Sequence, residues 1–218
     1  MFESIELRDW NEYVRLLVGL LALINPLTIL PIFLGLVQGR ARQEKRHISM
    51  VASVTVLVTL LCFTYLGGAL LDLFAITIES FRIAGGILLL LTALEMMRAK
   101  AAARAGGEDT EVNVTSIGIV PLGIPLLAGP GAIVTTIVDA TALPSIAHKV
   151  AVSLVVALVA LIVYVVLRLS AKADKYLSPT AMTVFNRVMG IIIASIAIEF
   201  ILNGLASKFP VLTQAAPL

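Results

Sequence analysis

Charge is what this chain has least of. Asp, Glu, Lys and Arg make up 14% of its 218 residues, while 59% are hydrophobic; soluble domains carry about 25% charged residues. A water-soluble core does not absorb that imbalance, so the composition describes an integral membrane protein with the lipid bilayer as its surroundings. The net charge of +2 is small, aromatics are only 6%, and no stretch interleaves basic and aromatic residues. Nucleic-acid binding is thereby excluded. Cysteine occurs once, at Cys62 inside an apolar run, which excludes an intrachain disulfide and redox chemistry by a thiol pair. The two histidines, His47 and His148, flank apolar spans at the expected headgroup level, and neither has a partner at metal-ligand spacing. No metal and no bound cofactor is expected. Hydrolysis inside the membrane would need a Ser–His pair, two aspartates or a metal cluster, so the chain does not read as an enzyme. Its opening, MFESIELRDWNEY, is acidic and polar, unlike a signal peptide.

What charge there is parses the spans. Arg15 to Arg40 encloses 24 uncharged residues, Arg46 to Asp72 encloses 25, Glu111 to Asp139 encloses 27 and Lys149 to Arg168 encloses 18. A helix needs about 20 to cross a bilayer. Two further apolar segments, 78–98 and 184–206, each contain an internal acid, Glu95 and Glu199, which brings the expected count to six transmembrane helices. Alternate loops carry eleven of the sixteen basic residues. By the positive-inside rule that face is cytoplasmic, and both termini lie outside.

The chain also repeats itself. A shift of 99 residues places Pro26 on Pro125, Pro31 on Pro130 and Tyr65 on Tyr164, so "NPLTILP" falls on "IPLLAGP". A shift of 105 places Arg82 on Arg187 and Gly85 on Gly190. The halves run over about 1–100 and 105–218, joined by a cytoplasmic linker at about 98–111, within one transmembrane domain covering 1–218. Three spans per half make the second half enter from the opposite side. The expected fold is therefore an all-α membrane protein, a 3+3 inverted-topology repeat whose first and fourth helices break at Pro-x4-Pro.

Proline removes a backbone donor and clashes with the preceding turn. Non-helical backbone at membrane depth is tolerated only where protein or a water-filled cavity surrounds it, and paired broken helices are how secondary transporters expose backbone at the midplane. Asn25, Pro26, Thr28 and Pro31 in the first half, with Pro125, Ala128, Gly129, Pro130, Gly131 and Thr135 in the second, are the candidate substrate-binding residues. Gly85, Gly86 and Gly190 offer small-residue surfaces for helix packing or gating. Glu199 lies twelve residues beyond Arg187 and is the candidate for ion coupling, with contact to the outer interface as the other reading. Arg82 and Arg187 read as membrane-edge anchors, or as anion-binding groups. The coupling ion, if there is one, is H+ or Na+.

The strings "LLALINPLTILPIF", "FRIAGGILLLLTALEMM", "VPLGIPLLAGPGAIVTT" and "RVMGIIIASIAIEFILNGL" resemble the MarC family of integral membrane proteins, from about Leu16 to Leu205. The resemblance implies a multi-pass protein of a bacterial or archaeal inner membrane. It further implies transport of small neutral amino acids such as glycine, alanine and serine, coupled to an ion gradient. Export, or a channel for another small solute, is the alternative. In that family a glycine and then a polar residue often stand where this chain has Thr28 and Ile29, which moves the implied contact from side chain to backbone. A small neutral amino acid and the lipid bilayer are the expected partners, and self-association stays open.

Overall fold

The computed structural model describes residues 7–97, 127–170 and 179–209, and side chains from 182 onward in the last segment. Its described residues form seven α-helices and no strands: α1 (Trp10–Ile24), α2 (Leu30–Val37), α3 (Arg42–Leu73), α4 (Ile78–Met97), α5 (Pro130–Ala140), α6 (Ile146–Ser170) and α7 (Pro179–Lys208). Four stretches are long and apolar enough to cross a membrane: Arg42–Leu73, Ile78–Met97, Ile146–Ser170 and Met182–Lys208. The linker at 98–111 and Pro125 lie outside the described residues.

The first apolar segment is two helices with a turn between them. Asn25 closes α1 in the left-handed region, at φ 41°, and its N–H bonds the Leu21 carbonyl at 2.9 Å. Asparagine tolerates that conformation better than most residues. Pro26 follows and has no N–H to give to Ala22. The Thr28 amide turns to Asn25 O at 3.1 Å instead of continuing the ladder to Ile24. Pro31 does not mark the break: it occupies the first turn of α2, where a missing N–H costs nothing. Pro130 is likewise the first residue of α5. In each case the second proline of the Pro-x4-Pro pair begins a helix.

Packing divides the molecule in two. The larger core gathers Leu20 and Ile24 of α1, Ile29, Phe33 of α2, Val56 and Leu60 of α3, Leu127, Ala132 of α5, and Val156 and Val163 of α6. The smaller one joins Leu89 and Ala93 of α4 to Ile193 and Ala197 of α7. Close approach of α4 and α7 depends on glycine. A Cβ on Gly86 would sit 2.8 Å from the Ala197 carbonyl oxygen, and one on Gly190 would sit 3.1 Å from the Ala93 oxygen. Gly85 faces Val134 of α5, and Gly131 faces Leu89, so α4 is wedged between α5 and α7. The outward faces of α3, α4, α6 and α7 are lined with exposed Leu, Ile and Val.

Candidate functional site

The turn after α1 and the start of α5 meet inside the larger core. Leu23 Cδ2 lies 3.6 Å from the position a Cβ on Gly131 would take, which makes the last turn of α1 and the first turn of α5 neighbours. These ends have opposite polarity. A helix ends in carbonyls that have no amide to accept from, and begins with amides that have no carbonyl to donate to. Gly129 caps α5 in an extended conformation without a side-chain hydrogen bond. Pro130 has no N–H, and the Ile133 amide is the first to turn back, to Gly129 O at 3.2 Å. Gly131 and Ala132 therefore present their amides within a buried region, at the positive end of the α5 dipole.

Two side-chain atoms in this region are buried and make no hydrogen bond among the described residues: Asn25 Nδ2 and Thr135 Oγ1. Asn25 is 5% exposed and Thr135 is 6% exposed. An unsatisfied buried polar atom costs about 1–3 kcal/mol. The neighbouring Thr136 spends its hydroxyl on Ala132 O at 2.8 Å. Thr28 is also committed, donating to Asn186 Oδ1 on α7 at 2.8 Å, so its side chain fastens the turn to α7. Pro26, Ala128 and Gly131 are buried, whereas Pro31 and Pro130 turn exposed faces outward.

A cavity of about 610 Å³ reaches from the end of the bundle that carries Asp139 towards this junction. Leu23 and Thr135 form part of its wall; Arg8, Glu12, Arg15, Asp139 and Glu199 also line it. A second cavity of about 600 Å³ shares Arg8, Asp139 and Glu199 and adds Arg82 and Asn203. Glu199 is exposed and accepts from Asn203 Nδ2 at 3.0 Å. Arg187 is exposed on α7. Among the described residues, groups of His, Cys, Asp and Glu that could hold a metal ion are absent.

One cluster was not legible in the sequence. His148, in the first turn of α6, is enclosed by protein and 1% exposed. Its Nδ1 lies 2.8 Å from Tyr13 Oη and its Nε2 lies 2.7 Å from the Asp139 carbonyl oxygen. A carbonyl only accepts, so Nε2 carries the proton of the neutral ring and Nδ1 accepts from the tyrosine. Arg8 Nη1 donates to Asp139 Oδ1 at 2.9 Å, and its Nε faces the Glu12 carboxylate. Tyr13 lies 135 residues from His148 in sequence, and nothing local links the two.

The long apolar helices, the lipid-facing exterior and a polar junction buried at a helix break together define a multi-pass integral membrane protein. The family model for MarC family integral membrane proteins matches residues 10–209, and the chain belongs to that family. It is 36% identical over 210 residues to the UPF0056 membrane protein YhcE of Escherichia coli, covering 93% of this chain and 95% of that one. It is 34% identical over 199 residues to the UPF0056 membrane protein PYRAB13050 of Pyrococcus abyssi, covering 91% and 96%. A UPF0056 membrane protein of Aquifex aeolicus is 31% identical over 196 residues. No solved structure matches.

Proposed function

We propose that this protein is a secondary transporter of small neutral amino acids in a bacterial or archaeal inner membrane. It works by alternating access between two inverted halves of three spans each, coupled to an ion gradient, with both termini outside. The observation that carries this reading is Thr135 Oγ1, buried without a partner in the wall of a cavity that leads to the junction of α1 and α5. A zwitterion complements such a junction. Its carboxylate suits the amides of Gly131 and Ala132, and its ammonium suits the carbonyls at the end of α1. The Thr135 hydroxyl and the Asn25 carboxamide supply side-chain contacts. A small side chain is favoured because Leu89 and Leu23 close in on Gly131. Glu199, at the cavity wall, is the group offered for ion coupling. Hydrolytic or redox catalysis is not proposed.

The reading is tested with purified protein in liposomes. Radiolabelled glycine, alanine or serine is expected to accumulate when an inward proton or sodium gradient is imposed, and to leave when the gradient is reversed. Absence of both binding and movement of all three, under either gradient, would overturn it and favour a pore or exporter for another small solute.

A further inference from the structure

The second cavity, of about 600 Å³, holds opposite charges that do not meet. Its wall carries Arg8, Arg82, Asp139 and Glu199. Arg8 and Asp139 are joined at 2.9 Å, and Arg8 also faces the Glu12 carboxylate. Among the described residues, Arg82 and Glu199 belong to no ion pair, and Glu79, three residues before Arg82, does not pair with it either. The packing of α4 on α7 explains why the two charges are close and yet apart. Gly86 faces Ala197 and Ile201, while Gly204 faces Glu79 and Ile83. The helices therefore run antiparallel, with Arg82 level with Asn203. Glu199 lies four residues earlier on α7, about 6 Å deeper along the axis. Asn203 Nδ2 donates to Glu199 Oε1 at 3.0 Å, which leaves Oε2 without a hydrogen bond among the described residues.

We propose that this cavity is a separate binding station for a zwitterion, ahead of the junction of α1 and α5. Arg82 holds the carboxylate and Glu199 holds the ammonium. The choice of an amino acid as ligand rests on the transport reading; the station itself rests on the unpaired charges. A zwitterion gives each of them its counter-charge and brings no net charge into the cavity. A lone carboxylate pairs with Arg82 but leaves Glu199 unpaired and adds a third negative group beside Asp139 and Glu199. A lone ammonium pairs with Glu199 but adds a third positive group beside Arg8 and Arg82. Like charges held close together in a partly enclosed site repel strongly, so the cavity discriminates against both.

The station adjoins the cavity that ends at Thr135. Arg8, Asp139, Ile196, Glu199 and Phe200 line both cavities, so a solute leaving the first for the junction passes the Arg8–Asp139 pair. That pair offers the same two partners again, a guanidinium for the carboxylate and a carboxylate for the ammonium. An ammonium on Glu199 and a coupled ion there exclude each other, so this carboxylate serves one cation at a time. Loss of one hydrogen-bonded contact to a charged group weakens binding roughly ten- to hundredfold, which sets the size of the effects expected below.

The test reads occupancy rather than transport. Cys62 is the one cysteine, and Cys62→Ser gives a background without thiols. Ala142 lines this cavity and is exposed, so Ala142→Cys reports whether the station is filled. Thr77→Cys, exposed at the same end but outside the cavity, is the control. In purified full-length protein in nanodiscs, glycine is expected to slow maleimide labelling at 142 and not at 77. Acetate and methylammonium are expected to need a roughly tenfold or greater concentration for the same protection. Arg82→Gln is expected to weaken protection by glycine roughly tenfold or more, and to let methylammonium protect at least as well as glycine. Glu199→Gln is expected to do the same in favour of acetate. Thr135→Val, altered at the junction alone, is expected to keep the parent's protection at 142. Absence of protection by glycine in the parent would overturn the proposal, as would equal protection by all three solutes. So would parent-like selectivity in Arg82→Gln and Glu199→Gln, or loss of protection in Thr135→Val, which would trace the effect to the junction. Glycine movement in liposomes without protection at 142 removes the station and leaves the transport reading standing; protection without movement does the reverse.

Discussion

Asn25 and Thr135 carry opposite kinds of demand on the same junction. Asn25 is held at φ 41°, so its backbone matters to the fold as much as its carboxamide matters to the proposed site. Asn25→Gly keeps that conformation open, while Asn25→Val forces a β-branched residue into it at a cost of about 1–3 kcal/mol. Thermal melting in detergent is expected to separate the two variants in that order. Thr135 has no such backbone duty. Its hydroxyl is buried and unpartnered, so Thr135→Val is expected to leave the melting temperature unchanged or raise it by the equivalent of about 1 kcal/mol. The same variant is expected to reduce alanine uptake about tenfold, and Thr135→Ser to retain most of it. Uptake by Thr135→Val equal to the parent's would remove Thr135 from the site. The sequence marked Asn25 because it precedes Pro26, and Thr135 as a hydroxyl in the apolar run that follows Pro130. It also marked Thr28, whose hydroxyl is spent on Asn186, a partner 158 residues away that local pattern does not reveal.

At the scale of the element, the informative feature is where the prolines fall. Two prolines five residues apart read as the limits of a break, but the break covers Asn25 to Ile29 and Pro31 already belongs to α2. The physical reason is that a proline in the first turn of a helix forfeits nothing, because that amide has no intrahelical partner. Helix bounds elsewhere followed the charges closely. The segment expected at 78–98 is α4 at Ile78–Met97, and the one enclosed by Lys149 and Arg168 is α6 at Ile146–Ser170. Seams between helices are an element-scale property too. Gly190→Leu would press four side-chain carbons against Met97 and the Ala93 carbonyl, and is expected to cost about 1–3 kcal/mol. Gly19→Leu, in open space, is expected to stay within about 0.5 kcal/mol of the parent. Equal melting temperatures for the two would mean that α4 and α7 are not packed through Gly190.

For the whole molecule, the distribution of basic residues makes a statement about sidedness. Eleven of sixteen lie in one set of alternate loops, and the proposed orientation puts those loops in the cytoplasm. In right-side-out vesicles of a Cys62→Ser strain, an impermeant maleimide is expected to label Thr77→Cys and to spare Gln38→Cys. The opposite pattern would invert the orientation and place the mouth of the cavity inside. The same experiment bears on the span count, since positions 38 and 77 flank α3 alone.

Composition and spacing determined that this is a membrane protein, where its long helices begin and end, and that Asn25-Pro26 interrupts the first of its apolar segments. These are local properties: a charge is costly in lipid wherever the rest of the chain goes, and a proline lacks its N–H in any context. Which polar atoms are left unsatisfied is not local. It depends on what arrives from elsewhere, and only the tertiary structure decided that Thr28 meets Asn186 while Asn25 Nδ2 and Thr135 Oγ1 find no hydrogen-bond partner among the described residues. It also decided that His148, which reads as an interfacial residue, is enclosed by Tyr13 and the Asp139 carbonyl. A hydrogen bond needs its two atoms within about 3 Å, and for residues 135 apart in sequence that proximity comes from packing alone.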